Sequence, residues 1–320
     1  MNNTKSVIEN KNDMIQQKTN GTAIDIDINE NNMLRETPEL LEILLIDRTT
    51  GRNIVWATNS YADRGDEYSP EASITSKQIT GEMGHLIKPR VEKEKQEQKS
   101  RTKENAEVFT PTWVVKKQND LVEAEFFNLG LEEYVSKTWL EITCGEAPYM
   151  CSRYDTVTGN YLQILERVGF VDRKLQRISK EVDDYQRWIE LTKKAYQASY
   201  GYELQGDSLL LARENLLYTF VDYFEDKFQL VPNIDLKTEI AKIVSYNVFQ
   251  MDGLKHIVPY SEKSMQNIQM FQMNLFGDEE KVEQAETSFT NVKTGISVLI
   301  MDWRQNALVS FRNLLFERGK

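Results

Sequence analysis

The spacing of hydrophobic and polar residues changes several times along the chain. Residues 1 to about 35 draw on Asn, Asp, Gln, Lys and Thr with few large apolar side chains, and read as a disordered leader. Two β-like runs follow, 43–48 (ILLIDR) and 53–58 (NIVWAT), joined by Thr49, Thr50, Gly51 and Arg52. They predict a hairpin with Gly51 in the left-handed turn position. Residues 87–103 then carry seven Lys or Arg against three Glu. That run predicts a solvated helix or linker, with contact to phosphates as the functional alternative. It divides a small N-terminal region, 36–104, from a main domain, 105–320.

From residue 105 the pattern becomes regular. A loop holding Thr110 and Pro111 leads into an amphipathic helix, with Thr110 placed to cap it. The short apolar run Trp139 to Thr143 predicts a strand. It runs into a turn holding Cys144, Gly145, Glu146 and Pro148. Residues 151–199 read as largely helical, and 199–204 (SYGYEL) as a second strand. The stretch 207–228 places Leu209, Ala212, Leu216, Phe220 and Tyr223 at helical spacing, with Asp207 or Ser208 as its cap. A further helix and a third strand end at Asp252. Residues 261–289 are polar and Met-rich without a period. Residues 294–303 (TGISVLIMDW) predict a fourth strand and 304–320 a terminal helix. No internal repeat is visible. Alternating helices and strands predict an α/β fold around a parallel sheet.

Composition narrows the function classes. The 320 residues carry a formal net charge of −11, which argues against a protein that grips nucleic acid unaided. A local basic patch or a partner subunit would have to supply that contact. No run approaches the ~20 apolar residues that span a bilayer, and the N-terminus lacks a signal-peptide core. Two cysteines, Cys144 and Cys151, and two histidines, His85 and His256, form no zinc spacing. The chain is read as a cytoplasmic, reduced protein without membrane association.

The candidate chemistry lies where the strands end. Glu141, Glu203 and Asp252 close the first three strands, and open α/β sheets bind ligands outside the carboxyl ends of their strands. A carboxylate after the second strand can take ribose hydroxyls. One after the third can accept a proton from an adenine amino group. An acidic pocket also suits a sulfonium ligand.

In that order, EVFTP, LEITCGEAP, YGYEL with ARENLL, and NVFQMDG resemble the N-terminal motifs of DNA adenine methyltransferases. They look in particular like the M subunits of restriction–modification systems. The resemblance covers about residues 105–255. It implies a Rossmann-like methyltransferase core that binds S-adenosylmethionine. Phe109 and Thr110 match the family's Phe-Thr-Pro loop against the cofactor. Glu141, Cys144 and Gly145 match Asp-Pro-x-Cys-Gly-x-Gly, with Ile142 and Ala147 replacing the Pro and second Gly. Glu203 matches the acid on the ribose, and Asp252 the acid near the adenine. Ala212, Arg213, Asn215 and Leu216 match the family's Ala-Arg-x-Asn-Leu run. Gly145 and Glu203 lie 58 positions apart, so the crossover between them holds an insertion.

The family's catalytic Asn-Pro-Pro-Tyr loop is absent, because no two of the seven prolines are adjacent. Three readings follow. A second subunit supplies the catalytic loop and target recognition for DNA. Alternatively, the chain is an inactive regulatory or interaction protein. In the third, Asp302 and Trp303 form a divergent catalytic loop.

Overall fold

The computed structural model describes residues 37–105, 107–108, 110–262 and 295–316. The leader, and the Met-rich stretch from residue 263 to 289, lie outside the described residues. Three short strands form one parallel sheet: β1 (Trp139–Glu141), β2 (Ser199–Glu203) and β3 (Val248–Gln250), in the order β1-β2-β3. Helices α6 (Phe170–Glu181) and α7 (Tyr185–Gln197) make the first crossover, and α8 (Gly206–Phe228) and α9 (Ile234–Asn247) the second. This is the α/β arrangement the alternating pattern predicts, and it turns all three strand ends the same way.

Several expected elements take another form. Residues 43–45 belong to a helix, α1 (Pro38–Leu45), and not to a hairpin strand. Leu40, Leu41, Leu44 and Leu45 are all buried along one side of it, so helical spacing prevails over the local apolar run. The expected hairpin is reduced to one bridge between Ile46 and Asn53 around a turn. Near the end of the chain, β4 (Leu299–Asp302) pairs antiparallel with β5 (Ala307–Ser310) instead of extending the parallel sheet. Residues 304–310 are therefore turn and strand, and among the described residues the last helix is Phe311–Phe316. Helix α4 (Thr112–Glu123) is not capped by Thr110. The preceding residue is Pro111, and the Thr112 N–H donates to Asp155 Oδ2 at 2.9 Å.

The N-terminal region shares its core with the rest. Leu41, Ile54, Trp56 and Ile87 belong to the same buried cluster as Leu175, Trp188, Leu216 and Val248. The polarity change near residue 104 is thus not a gap in packing. A second, smaller cluster seats the β4–β5 hairpin and Phe311 against Phe249 and Met251.

Side chains finish the backbone hydrogen bonding where the short strands stop. Arg213, fully buried in α8, donates to the carbonyls of Leu44, Ile46, Ser245 and Val248, so one guanidinium joins α1, α9 and β3. Asn247 donates to the carbonyls of Tyr196, Gln197 and Ser199 and accepts from the Trp303 indole at 2.7 Å. Replacing Arg213 by Met leaves four carbonyls without their donor. The expected loss is about 3–5 kcal/mol in urea unfolding. A loss below about 1 kcal/mol, the level of an ordinary substitution, would contradict this role.

Candidate functional site

The turn after β1 is wound tightly. Thr143, Gly145 and Ala147 all adopt left-handed backbone conformations, with φ of 47°, 54° and 63°. Only one of them is glycine, so the loop holds strain that its surroundings must fix. Glu141 spans the loop's far end, accepting from Tyr149 N at 3.1 Å and Met150 N at 2.9 Å. Glu203, at the end of β2, accepts from Gly145 N at 2.8 Å. It also accepts from Leu204 N at 2.8 Å and Gln205 N at 3.1 Å. Glu146 accepts from Arg90 N at 2.7 Å and Tyr154 Oη at 2.9 Å.

Burial sets the acidity of these groups. Desolvation pushes Glu141 up to about 8, against two amide donors that pull it down, and the nearby Glu203 adds to the rise. Glu203 is also raised, by burial, with its three amide donors opposing. Cys144 is buried, and both burial and the two glutamates push its thiol well above its ordinary value. It is a packing residue beside β2, where a side chain in place of Gly201 would strike Met150 and crowd Cys144 Sγ.

A cavity of about 500 Å³ opens at this turn. Its walls include Val108, Thr110, Trp139, Glu141, Gly145 and Tyr149. Of the residues singled out in the sequence, Thr110, Glu141, Cys144 and Gly145 meet here. Phe109 lies outside the described residues. Glu203 does not line the cavity; it lies beneath, bound to the loop. Asp252 also stands apart from the walls. Its Oδ1 accepts from Leu254 N at 3.0 Å and Lys255 N at 3.1 Å, and Lys255 Nζ is 3.7 Å from Oδ2. Asn119, on α4, is a wall residue that the sequence did not mark. Its amide donates to the carbonyls of Tyr149 and Val168. Trp139 stacks on Phe170 at 4.8 Å, and both reach the cavity. An unpatterned Asn in an amphipathic helix was the one available signal for Asn119.

A larger cavity, about 620 Å³, lies between the sheet and the β4–β5 hairpin, against Leu140, Tyr200, Phe249 and Trp303. Of the strand-end acids Asp302 lines it, while Glu141, Glu203 and Asp252 do not. Asp302 accepts from Arg304 N and Gln305 N, and Trp303 is bonded to Asn247, so both act as turn cap and anchor. Among the described residues, no group of three or more His, Cys, Asp or Glu is placed to hold a metal. No described helix is long and apolar enough to cross a membrane. No family model, curated protein or solved structure matches the chain.

Two outcomes are expected from the carboxylates. Glu203→Ala leaves three backbone N–H groups without acceptors and is expected to cost about 2–3 kcal/mol in chemical denaturation. For Glu141, the folded chain keeps its proton from the ordinary value of 4.5 up to about 8, where the unfolded chain has lost it. Its ionisation therefore lowers stability as pH rises through that window. The stability of Glu141→Gln relative to the unaltered chain is expected to improve between those two pH values. A pH-independent difference would refute the raised acidity constant.

Proposed function

We propose that this chain is the S-adenosylmethionine-binding subunit of a DNA adenine-N6 methyltransferase of restriction–modification type. In this reading the chain has a Rossmann-like core, and a second subunit supplies the catalytic loop and target recognition. The observation that carries it is the character of the cavity. The N–H groups of Cys144, Gly145, Ala147, Tyr149 and Met150 all have acceptors inside the chain. A glycine loop whose amides are free would cradle phosphate. This one has its own carboxylates in that role. What remains at the wall is the carboxyl of Glu141, each of its oxygens holding one of those amides, with Trp139, Tyr149 and Phe170 around it. That combination suits a ligand with positive charge, apolar surface and no phosphate. The volume is of the size that holds a cofactor.

S-adenosylmethionine meets each requirement and, when bound, supplies an electrophilic methyl group. Glu141 would face its positive charge, and Thr110 and Val108 would close the opposite wall. The acidic net charge fits a division of labour in which another chain contacts DNA.

A second reading is favoured by a specific observation. Glu203, the expected ribose acid, has both oxygens engaged by backbone amides, and Asp252 caps a turn. Both arrangements fit a methyltransferase-like protein that has become a regulatory or interaction subunit. Calorimetric titration with S-adenosylmethionine separates the two. Saturable binding is expected at neutral pH. It should be accompanied by proton release, read from the buffer dependence of the heat, because a cation favours the ionised form of Glu141. Glu141→Gln should weaken binding and abolish that release. Absence of binding at ligand on the order of millimolar would overturn the cofactor reading.

A further inference from the structure

We propose that Arg101 is a positioning residue, which clips the lip of the cavity to the start of α8. The ligand part of this inference rests on the proposed function; the clip itself does not.

The basic run expected to be solvated is anchored by its own charges. It forms a helix, α3 (Lys95–Asn105), but Lys93 and Arg101 are buried. Between Pro89 and Glu107 they are the only buried residues among those described. The segment is therefore held down by polar contacts and not by an apolar stripe. Arg101 reaches two carboxylates. Its Nε donates to Glu107, and its Nη2 donates to Asp207 at 2.7 Å and to Gln205 at 3.3 Å. Lys93 Nζ lies 3.6 Å from Asp207, and Tyr61 donates to the same carboxylate at 2.9 Å. Burial would raise Asp207, but Arg101 and Lys93 outweigh it and hold the acid down at about 2.

The position of this cluster gives it a consequence at the cavity. Glu107 leads directly into Val108, and Val108 and Thr110 form one wall. The far side of that wall has separate anchors: Thr156 Oγ1 donates to the Thr110 carbonyl at 3.2 Å, and Thr112 N donates to Asp155. The lip thus hangs between two fixed points, and Arg101 supplies the first together with Thr102, whose Oγ1 donates to the Glu107 carbonyl at 2.9 Å. Asp207 follows Glu203 by four residues, so one short turn grips the loop with Glu203 and the lip with Asp207.

Such a cluster is a poor way to gain stability. Among the described residues, Lys93 Nζ, Arg101 Nη1, Glu107 Oε1 and Asp207 Oδ1 are buried without hydrogen-bond partners. Buried ion pairs commonly add little over well-packed apolar residues. What a guanidinium between two carboxylates does provide is direction, because its donors are fixed in one plane. Positioning is the effect that this geometry serves best.

Hydrogen exchange on the full-length chain tests the clip without a ligand. In Arg101→Met, the amides of Glu107, which is hydrogen-bonded to the Arg101 carbonyl, and of the last turn of α3 should exchange about ten-fold faster or more, while β2 and the middle of α8 keep their protection. Arg101→Lys should fall between, since a single ammonium cannot span both carboxylates. Glu107→Gln serves as the milder variant should Arg101→Met fail to fold, and it too should loosen the lip. In parallel, S-adenosylmethionine affinity should drop about ten-fold in the loosened variants. Lip protection that stays unchanged in the folded variants would overturn the proposal. So would a lip that loosens with no drop in affinity where the unaltered chain binds. If the unaltered chain does not bind, the cofactor reading fails while exchange still decides the clip.

Discussion

A carboxylate taken out of water must be met by donors, and the junction of β2 and α8 has two such groups, one on each side of its turn, with opposite solutions. Glu203 is met by backbone amides alone, one of them from the β1 loop. Asp207 is met by cations and a tyrosine hydroxyl from the N-terminal region. Amide dipoles offset desolvation only in part, so Glu203 is raised; full charges exceed it, so Asp207 is lowered. The two acids draw the strained loop and the charged strap onto one rigid point. That point and β1 together set the cavity walls, and among the described residues the parallel sheet is three short strands wide.

The small size of the sheet explains why so many buried side chains bond to carbonyls. Strands of three to five residues leave much of their flanking backbone outside any ladder. Arg213 and Asn247 satisfy the carbonyls at the joints. Lys174 does the same near the start of β1 and β2, donating to the carbonyls of Lys137 and Ala198 and to Ser199 Oγ. No carboxylate offsets its burial, which lowers it to about 7. These groups bind helix to helix as well as strand to strand. They also explain why α1, far away in sequence, belongs to the same body.

The sequence made part of this legible. The helical spacing of α8 and the order of the three strand-end acids were readable because both are local or periodic. The convergence of Thr110, Glu141, Cys144 and Gly145 on one cavity was expected from the motif resemblance and not from spacing. The start of α1 was not, because a consecutive apolar run of four to eight residues fits a strand or a buried helix equally. Burial of Lys93 and Arg101 was hidden for another reason. Their partner, Asp207, lies more than a hundred positions on, and no period marks a pairing at that distance. The inward direction of Glu203 was equally unreadable. A terminal acid on a strand can face ligand or backbone, and only the loop's left-handed winding brings Gly145 N within its reach.

That winding also decides how a loop with a single glycine can still wall a cavity. Ala147 stands where a second glycine would be expected, in a left-handed conformation and wholly buried. Its methyl group packs into the main core and is not part of the cavity wall. Alanine at this left-handed position therefore costs backbone strain, on the order of 1 kcal/mol, and not room for a ligand. Glu141, Glu203 and Glu146 each tie the loop to a neighbour, which is how the strain is held. The number of glycines measures how easily such a loop bends. The acceptors that its amides already have decide which ligands it turns away.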